Sequence, residues 1–313
     1  MRFVVESWAP EYGVSGDESQ LDDRNEPVNL DVEVPADQWQ PIDGDPSDAV
    51  DRVLFVDGIR RTEAQIWVSE GHTSRLGVCA SVAAGAVLCT PEKATVVDAE
   101  VFRGFYAGPL EGAKDIETRH GCYTYVQCSS DQPEHLNLGI QNRMTSLETA
   151  IVVGPGGGGQ QSLDTGADLV IFDGPIRGRN QSNGVGYIKT QHVQYLPESH
   201  QSIIGRLTNG QRTPVFHIDG SFSRYSWYIR LPSPPSHPLA GVVRCEVSAT
   251  GEAAEAANRA AQTIAVLPRY ASEPHKEPRA PQNLYPIAGL EAQLRRRLGD
   301  PLILDRALRI AAG

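Results

Sequence analysis

The sequence lacks the signatures of several protein classes. It has five cysteines, and no two of them form a CxxC pair, so a zinc ribbon is not indicated. Because their number is odd, a disulfide framework is not indicated either. No run of about 18 apolar residues could form a membrane span, and the N-terminus has no basic region followed by a long apolar stretch. We therefore expect a soluble protein of the reducing cytoplasm that does not associate with membranes.

The glycine-rich segment 154–166 also lacks what a phosphate-binding loop needs. No Gly-Lys-Ser/Thr follows it, and no GxGxxG opens a helix directly after a strand. We interpret this segment as a flexible connector.

The net charge of -11 is concentrated at one end of the chain. Residues 1–50 contain 13 Asp/Glu and only two basic residues, whereas the other 263 residues hold 26 acidic and 26 basic groups. We predict an acidic N-terminal segment over 1–50, which is solvated or bound by a partner, and a folded domain over 51–313. The alternative is that "FVVESW" and "VNLDVEV" add edge strands to the core sheet.

The pattern of apolar residues predicts an α/β fold. Leu136, Ile140, Met144 and Leu147 recur every three or four residues after Pro133, which indicates a helix. β-branched and apolar runs indicate strands elsewhere. The predicted strands are 52–57, 63–69, 75–89, 122–128, 168–173, 185–193, 213–218, 225–231 and 241–248. Further helices are predicted over 251–265, 286–298 and 301–312.

Two of the predicted strands end in Asp-Gly followed by arginine: "RVLFVDGIRR" from residue 52 and "ADLVIFDGPIRGR" from residue 167. A turn is the ordinary interpretation, because Asp and Gly both tolerate turn conformations. However, both runs are apolar throughout, as in central strands covered on both faces, and the ends of such strands lie side by side. Asp57 and Asp173 would then repel each other unless a cation lies between them.

Magnesium or manganese fits two such carboxylates, because these ions prefer oxygen ligands. A bound metal would activate water and stabilise charge on a phosphodiester. We predict Glu148 as the third acid, since it borders the apolar stripe of the helix. Glu134 is the weaker candidate because it lies in the first turn, where an acid complements the helix dipole. Arginines near the acids would face a polyanion: Arg60, Arg61, Arg177, Arg179 and Arg230.

In their order along the chain, five short motifs together resemble the NurA nuclease family. They are Val-Asp-Gly at residue 57, Arg-Met-x-x-x-Glu at 143–148, Leu-Val-Ile-Phe-Asp-Gly at 169–174, Gly-Tyr-Ile-Lys at 186–189 and Gln-Asn-Leu-Tyr-Pro at 282–286. The resemblance implies a ribonuclease H-like mixed β-sheet flanked by helices, with additional strands. It also implies a manganese- or magnesium-dependent DNA nuclease that works with the hexameric ATPase HerA and forms a homodimer.

The resemblance assigns roles to individual residues. Asp57, Glu148 and Asp173 match the family's metal-binding acids, and Lys189 matches a lysine that contacts the scissile phosphate or shields the acids. Tyr285 and Pro286 match the segment that leads the chain back to the site. Because they follow or lie on strands near the acids, Arg61, Arg177, Lys189 and Arg230 are predicted to contact DNA, and Tyr285 is a further predicted contact.

One position departs from the family pattern. Many members carry a histidine where this chain has Gln293, and glutamine cannot transfer protons. His192, His217 and His275 are possible substitutes. A catalytically weak or inactive NurA-like DNA-processing subunit is therefore the main alternative. A carbohydrate-active enzyme with two carboxylates is a more distant one, because none of the four tryptophans lies near either Asp-Gly.

Overall fold

The computed structural model describes residues 2–5, 26–70, 73–153, 165–179, 181–189, 193–233, 239–277 and 279–313. Within these ranges the strands form one 14-stranded sheet in the order β2-β12-β13-β14-β10-β9-β4-β5-β6-β8-β7, and β1, β3 and β11 pair at its sides. The first eight strands are β1 (Arg2–Val5), β2 (Val28–Asn29), β3 (Ile42–Asp43), β4 (Val53–Glu70), β5 (Thr73–Cys89), β6 (Ala94–Ala107), β7 (Ile116–Thr118) and β8 (Gly121–Gln127). The other six are β9 (Leu169–Asp173), β10 (Gly184–Ile188), β11 (Gln211–Arg212), β12 (Phe216–Ile218), β13 (Arg224–Arg230) and β14 (Val242–Ser248).

The sheet is mixed and flanked by helices, which confirms the predicted fold class. β9 is parallel to both β4 and β10, and β6 is parallel to β8, whereas β5 runs antiparallel to both β4 and β6. The helices of the described residues are α1 (Pro133–Val153), α2 (Glu198–Arg206), α3 (Ala253–Val266), α4 (Tyr285–Leu298) and α5 (Pro301–Ala312). None of them has the length and apolar character needed to cross a membrane.

Helices cover both faces of the central strands. Val170 and Phe172 of β9 belong to the apolar cluster that includes Leu136 and Ile140 of α1. The alternate residues Leu169 and Ile171 belong to the cluster that includes α3 and the start of α4. Because successive strand residues point to opposite faces, a strand covered on both sides must be apolar throughout. This explains the unbroken apolar runs before Asp57 and Asp173.

The prediction that a strand ends at Asp57 is wrong. The two predicted strands 52–57 and 63–69 are parts of one strand, β4, which pairs with β5 from Val53 to Glu70. Gly58 does not have a positive φ, so it is not a turn glycine. Gly174, after Asp173, does have one, at 108°. A Cβ on Gly58 would lie 2.5 Å from Oε1 of Glu148, so a glycine is needed here for the close approach of α1.

Other predicted elements agree with the structure in part. The helix from Pro133 is confirmed, as are the last two helices to within one residue. Strand β6 and helix α2 were not predicted. Of the predicted strand 213–218 only residues 216–218 form a strand, β12, and β11 lies just before the predicted range. Residues 190–192, near the end of another predicted strand, lie outside the described residues.

Part of the acidic N-terminal segment packs against the folded domain. β1 pairs with the far end of β4, and β2 pairs with β12. Trp39 is buried, and both carboxylate oxygens of Glu33 accept hydrogen bonds from the buried Arg212, at 2.7 and 2.8 Å. Residues 26–50 therefore belong to the fold, and residues 6–25 lie outside the described residues.

Candidate metal centre

The parallel pairing of β4 and β9 brings Asp57 and Asp173 together. Val56 pairs with Phe172 in this ladder, so each aspartate follows its strand's last paired residue. In each strand, the alternate residues before the aspartate have side chains that pack towards α3 and α4, and the aspartate is the next residue in that series. The fold thus places two carboxylates on one face of the sheet, at the edge where the parallel pairing ends.

Asp57 is almost fully buried, and one of its oxygens lacks a partner. Oδ1 accepts a hydrogen bond from the amide of Gly58 at 2.8 Å. Oδ2 is buried with no hydrogen-bond partner among the described residues. Burial raises the pKa of Asp57 well above its usual value, and the nearby charge of Asp173 raises it further. A buried carboxylate oxygen without a donor is suited to a cation.

Asp173 is held by Lys189 of the loop after β10. The ammonium group donates to Asp173 Oδ2 at 2.6 Å and to Asn283 Oδ1 at 2.7 Å. Burial raises the pKa of Asp173, while Lys189 acts in the opposite direction. The structure therefore brings Lys189 to the acids, as the sequence analysis expected.

A third acid, Glu291 of α4, joins this pair. One oxygen from each of Asp57, Asp173 and Glu291 lies within 4.8 Å of the others, and this is the metal-compatible group found among the described residues. Glu291 lies on the buried side of α4 among Ile287, Leu290 and Leu294. We call these three residues the acidic cluster.

The sequence analysis did not identify Glu291, although a signal was present. Ile287, Leu290, Leu294 and Leu298 form an apolar stripe at helical spacing, and Glu291 lies within that stripe. An acid on the buried side of a helix needs a partner. Here the guanidinium of Arg279 binds Glu291 with two hydrogen bonds, at 2.5 and 3.2 Å.

Glu148, the predicted third acid, lies close by but has a different partner. Its carboxylate is buried and forms an ion pair with Arg179, which also donates to the carbonyl of Pro175. Burial is the main cause that raises the pKa of Glu148. Helix α1 covers the face of the sheet opposite to α4, and Glu148 reaches the site beside Gly58. The negative charge of Glu148 still contributes to the raised pKa of Asp57.

The predicted DNA-contacting residues lie in different environments. Arg61 donates to the carbonyls of Leu298 and Gly299 at the end of α4 and pairs with Glu63. Arg230 is buried and donates to the carbonyls of Ala240 and Ile204.

The other predicted contacts are more accessible. Arg177 is exposed. Tyr285 begins α4, and its hydroxyl donates to Glu273 at 3.2 Å. Arg61 and Arg230 thus stabilise the fold, and their interaction with DNA stays a prediction.

Two of the proposed substitute histidines, His217 and His275, do not join the acidic cluster. His217 bonds the hydroxyl of Ser223 at 2.7 Å, and His275 is exposed beside Glu273. His192 lies outside the described residues. Gln293 is half-buried on α4, two residues after Glu291.

Comparison with known proteins identifies the family. The profile of the NurA domain matches residues 51–288, which is about three quarters of the chain. The chain belongs to the NurA family. The match confirms the resemblance that the five motifs indicated, and it includes Asp57, Asp173 and the start of α4.

The NurA-family chain is also similar to a solved structure, the crystal structure of the NurA nuclease from Sulfolobus solfataricus. The two share 10% sequence identity with a TM-score of 0.48, and the match covers 85% of each chain. No curated protein sequence matches the chain.

Proposed function

We propose that this NurA-family protein is a divalent-metal-dependent deoxyribonuclease. The observation that carries the proposal is the acidic cluster, in which three carboxylates lie within 4.8 Å of one another and one buried oxygen of Asp57 lacks a donor. Three acids this close, with both aspartates' pKa values raised, need a positive partner when they are ionised. Lys189 and Arg279 supply part of that charge.

The donor set fits magnesium or manganese. All three groups are carboxylates, which are hard oxygen ligands, and no cysteine or histidine is among them. When bound, such an ion would activate a water molecule and stabilise negative charge on the phosphodiester. Asp57, Asp173 and Glu291 would hold the ion, and burial would keep competing solvent from the carboxylates.

Glu148 remains a proposed ligand beside Glu291. It lies on the opposite face of the sheet but reaches the same strand edge next to Gly58. Its ion pair with Arg179 would have to open before both of its oxygens could turn to a metal. Alternatively, Glu148 does not bind the metal, and its negative charge acts only on the neighbouring Asp57.

Lys189 is proposed to position Asp173 and to meet the substrate. Its ammonium group lies between Asp173 and Asn283 and is partly exposed, at 16%. A lysine has three donors, so a third direction is available for a phosphate oxygen. Arg177, which is exposed on the loop after Asp173, is a second proposed DNA contact.

We further propose a HerA-type hexameric ATPase as partner and a homodimeric assembly, both from the NurA resemblance. The biological setting would be DNA end processing or defence against foreign DNA.

A nuclease assay tests the proposal directly. The protein is incubated with labelled single- and double-stranded DNA in Mn²⁺, in Mg²⁺ and with a chelator. We expect loss of full-length DNA with either ion and no loss with the chelator. Intact DNA under all metal conditions would contradict the nuclease function.

A catalytically weak DNA-processing subunit is the second candidate. Gln293 favours it, because it occupies the position at which many family members carry a histidine. The same assay separates the two candidates, since this subunit would bind DNA or a HerA-type ATPase without degrading the DNA. Replacing Gln293 by His would then raise the rate of cleavage.

A further inference from the structure

Two arginines from different parts of the chain converge on Glu291. Arg279, in the loop before α4, binds both oxygens of Glu291, with Nη2–Oε2 at 2.5 Å and Nη1–Oε1 at 3.2 Å. Arg295, one turn further along α4, places Nη2 at 3.7 Å from the same Oε2. The Glu291 side chain is only 11% exposed, whereas those of Arg279 and Arg295 are 50% and 67% exposed. Both guanidinium groups therefore extend from solvent to the edge of the acidic cluster.

From these contacts we propose that Arg279 and Arg295 form a phosphate-binding pair for a DNA strand at the mouth of the acidic cluster. The inference rests on the nuclease function proposed above. It proposes that two residues for which the sequence motifs gave no role bind the phosphate groups of the DNA backbone.

Other arginines near the site are already engaged inside the protein. Arg61 caps the end of α4, Arg179 is buried against Glu148, and Arg230 is buried with carbonyl partners. Moving any of them to a substrate would leave buried acceptors or a buried carboxylate without a donor. Arg295 would lose only a contact at 3.7 Å, and the cation proposed for the acidic cluster would replace Arg279 as the positive partner of Glu291.

The charge of the cluster changes sign when a divalent cation binds. Three ionised carboxylates and Glu277, which pairs with Arg279, face Lys189, Arg279 and Arg295, so four negative and three positive groups leave one negative charge. A divalent cation converts this into one positive charge, and a phosphodiester group restores neutrality. A guanidinium also binds phosphate with two parallel hydrogen bonds, which an ammonium cannot do. Arg279 and Arg295 are thus suited to leave the carboxylate of Glu291 and bind a phosphate group of DNA.

The first test is DNA binding as a function of salt. A fluorescently labelled single-stranded oligonucleotide is titrated with the full chain in Ca²⁺, with a gel to verify that the DNA stays intact. Wild type is compared with Arg279→Gln, Arg295→Gln and the double variant. Arg309→Gln is the matched control, because Arg309 is a half-exposed arginine on α5 that is paired with Asp305. Arg279→Gln and Arg295→Gln should each weaken binding about 3- to 10-fold. Each should also reduce the slope of log K against log salt by about 0.7 to 1.

Arg279→Lys keeps the positive charge and should retain most of the slope, which separates a phosphate contact from a folding defect. Slopes equal to wild type in Arg279→Gln and Arg295→Gln would overturn the proposal. If wild type degrades DNA in Mn²⁺ while these variants bind as wild type does, only this inference fails. If wild type neither binds nor degrades DNA, the proposed function fails.

The second test uses Glu291→Gln in a chelator, where cleavage does not interfere. Loss of the carboxylate releases both guanidinium groups, so we expect metal-free DNA binding to become tighter than in wild type, whereas Arg279→Gln should make it weaker. If Arg279 only holds Glu291 in place, the two variants would change binding in the same direction. That result would overturn the proposal.

Discussion

Asp57 and Asp173 occupy matching positions on two parallel neighbouring strands. The last pairs of the ladder, Phe55 with Ile171 and Val56 with Phe172, place the two aspartates next in line. Because the strands are parallel and in register, both side chains lie on the same face, towards α4 and Glu291. The pairing of these two carboxylates is therefore a direct result of strand register.

Replacing either aspartate should remove metal-dependent cleavage. Asp57→Asn and Asp173→Asn keep the side-chain volume but remove a charged ligand. We expect cleavage rates to fall by more than about 100-fold, since even groups behind metal ligands commonly change activity by 10- to 100-fold. Asp98→Asn is the control, because Asp98 on β6 accepts the amide of the next residue at 2.8 Å just as Asp57 does. Wild-type rates in either aspartate variant would refute the metal role.

Glu148 and Glu291 can be separated by metal affinity. We expect Glu291→Gln to weaken Mn²⁺ binding about 10-fold or more, measured by calorimetry. Glu148→Gln should leave a buried Arg179 without its anion and lower the free energy of unfolding by about 3 kcal/mol. If Glu148→Gln weakens Mn²⁺ binding as much as Glu291→Gln does, the acid from α1 is a metal ligand as well.

The Asp57 carboxyl group should destabilise the metal-free protein as pH rises. Burial raises the pKa of Asp57 above its unfolded value of about 3.9. The folded state therefore binds more protons than the unfolded state, and stability is lost between the unfolded and the folded pKa. Asp57→Asn removes this loss, so its Tm in a chelator should exceed that of wild type at pH 8 and differ less at pH 4. If the Tm of wild type and that of Asp57→Asn change by the same amount between pH 4 and pH 8, the prediction is contradicted.

Metal should reverse this effect in wild type. A ligand at 100 times its Kd adds about 2.7 kcal/mol to the free energy of unfolding. Added Mn²⁺ should raise the Tm of wild type at pH 8 and leave that of Asp57→Asn almost unchanged.

Two glycine substitutions test the packing beside the site. In Gly58→Ala the new methyl group would lie 2.5 Å from Glu148 Oε1 and 2.8 Å from Met144 Cγ, so we expect a loss of about 1–3 kcal/mol. Gly289→Ala is the control at an exposed position of α4, where no neighbouring atom lies within 4 Å of the added carbon. This change should stabilise the protein by about 0.5–1 kcal/mol. Chemical denaturation of both variants measures the difference, and equal stabilities would show that α1 can move away.

The acidic residues of segment 6–25 offer a test of the proposed ATPase partner. Replacing the Asp and Glu side chains of this segment by Asn and Gln leaves Glu33 and Trp39, which pack in the fold, untouched. We expect weaker association with a HerA-type ring and unchanged cleavage by the isolated protein. Association equal to wild type would place the ring on another surface.

Much of the central sheet could be predicted from the sequence, because strands covered on both faces must be apolar throughout. Asp57 and Asp173 were predicted to meet for that reason. β6 was missed because Asp98, Glu100 and Arg103 interrupt its apolar residues, and these side chains lie on a partly exposed part of the sheet.

The other differences come from tertiary contacts. The need for glycine at position 58 comes from the approach of Glu148, and Arg61 donates to a carbonyl that lies more than two hundred residues away along the chain. Local sequence patterns carry no information on such pairs. Glu291 was overlooked because an acid in an apolar helical stripe indicates a buried partner but does not show which residues lie beneath the helix.

The position of Glu291 along the chain has a consequence for biosynthesis. Asp57 and Asp173 are synthesised before Glu291, which lies on α4, and the end of α4 accepts hydrogen bonds from Arg61 of β4 and Arg103 of β6. Since chains are synthesised from the N-terminus, a nascent chain that ends before α4 lacks Glu291 and therefore the complete acidic cluster. On the proposed function, such a chain would be unable to cleave DNA until translation has passed Glu291.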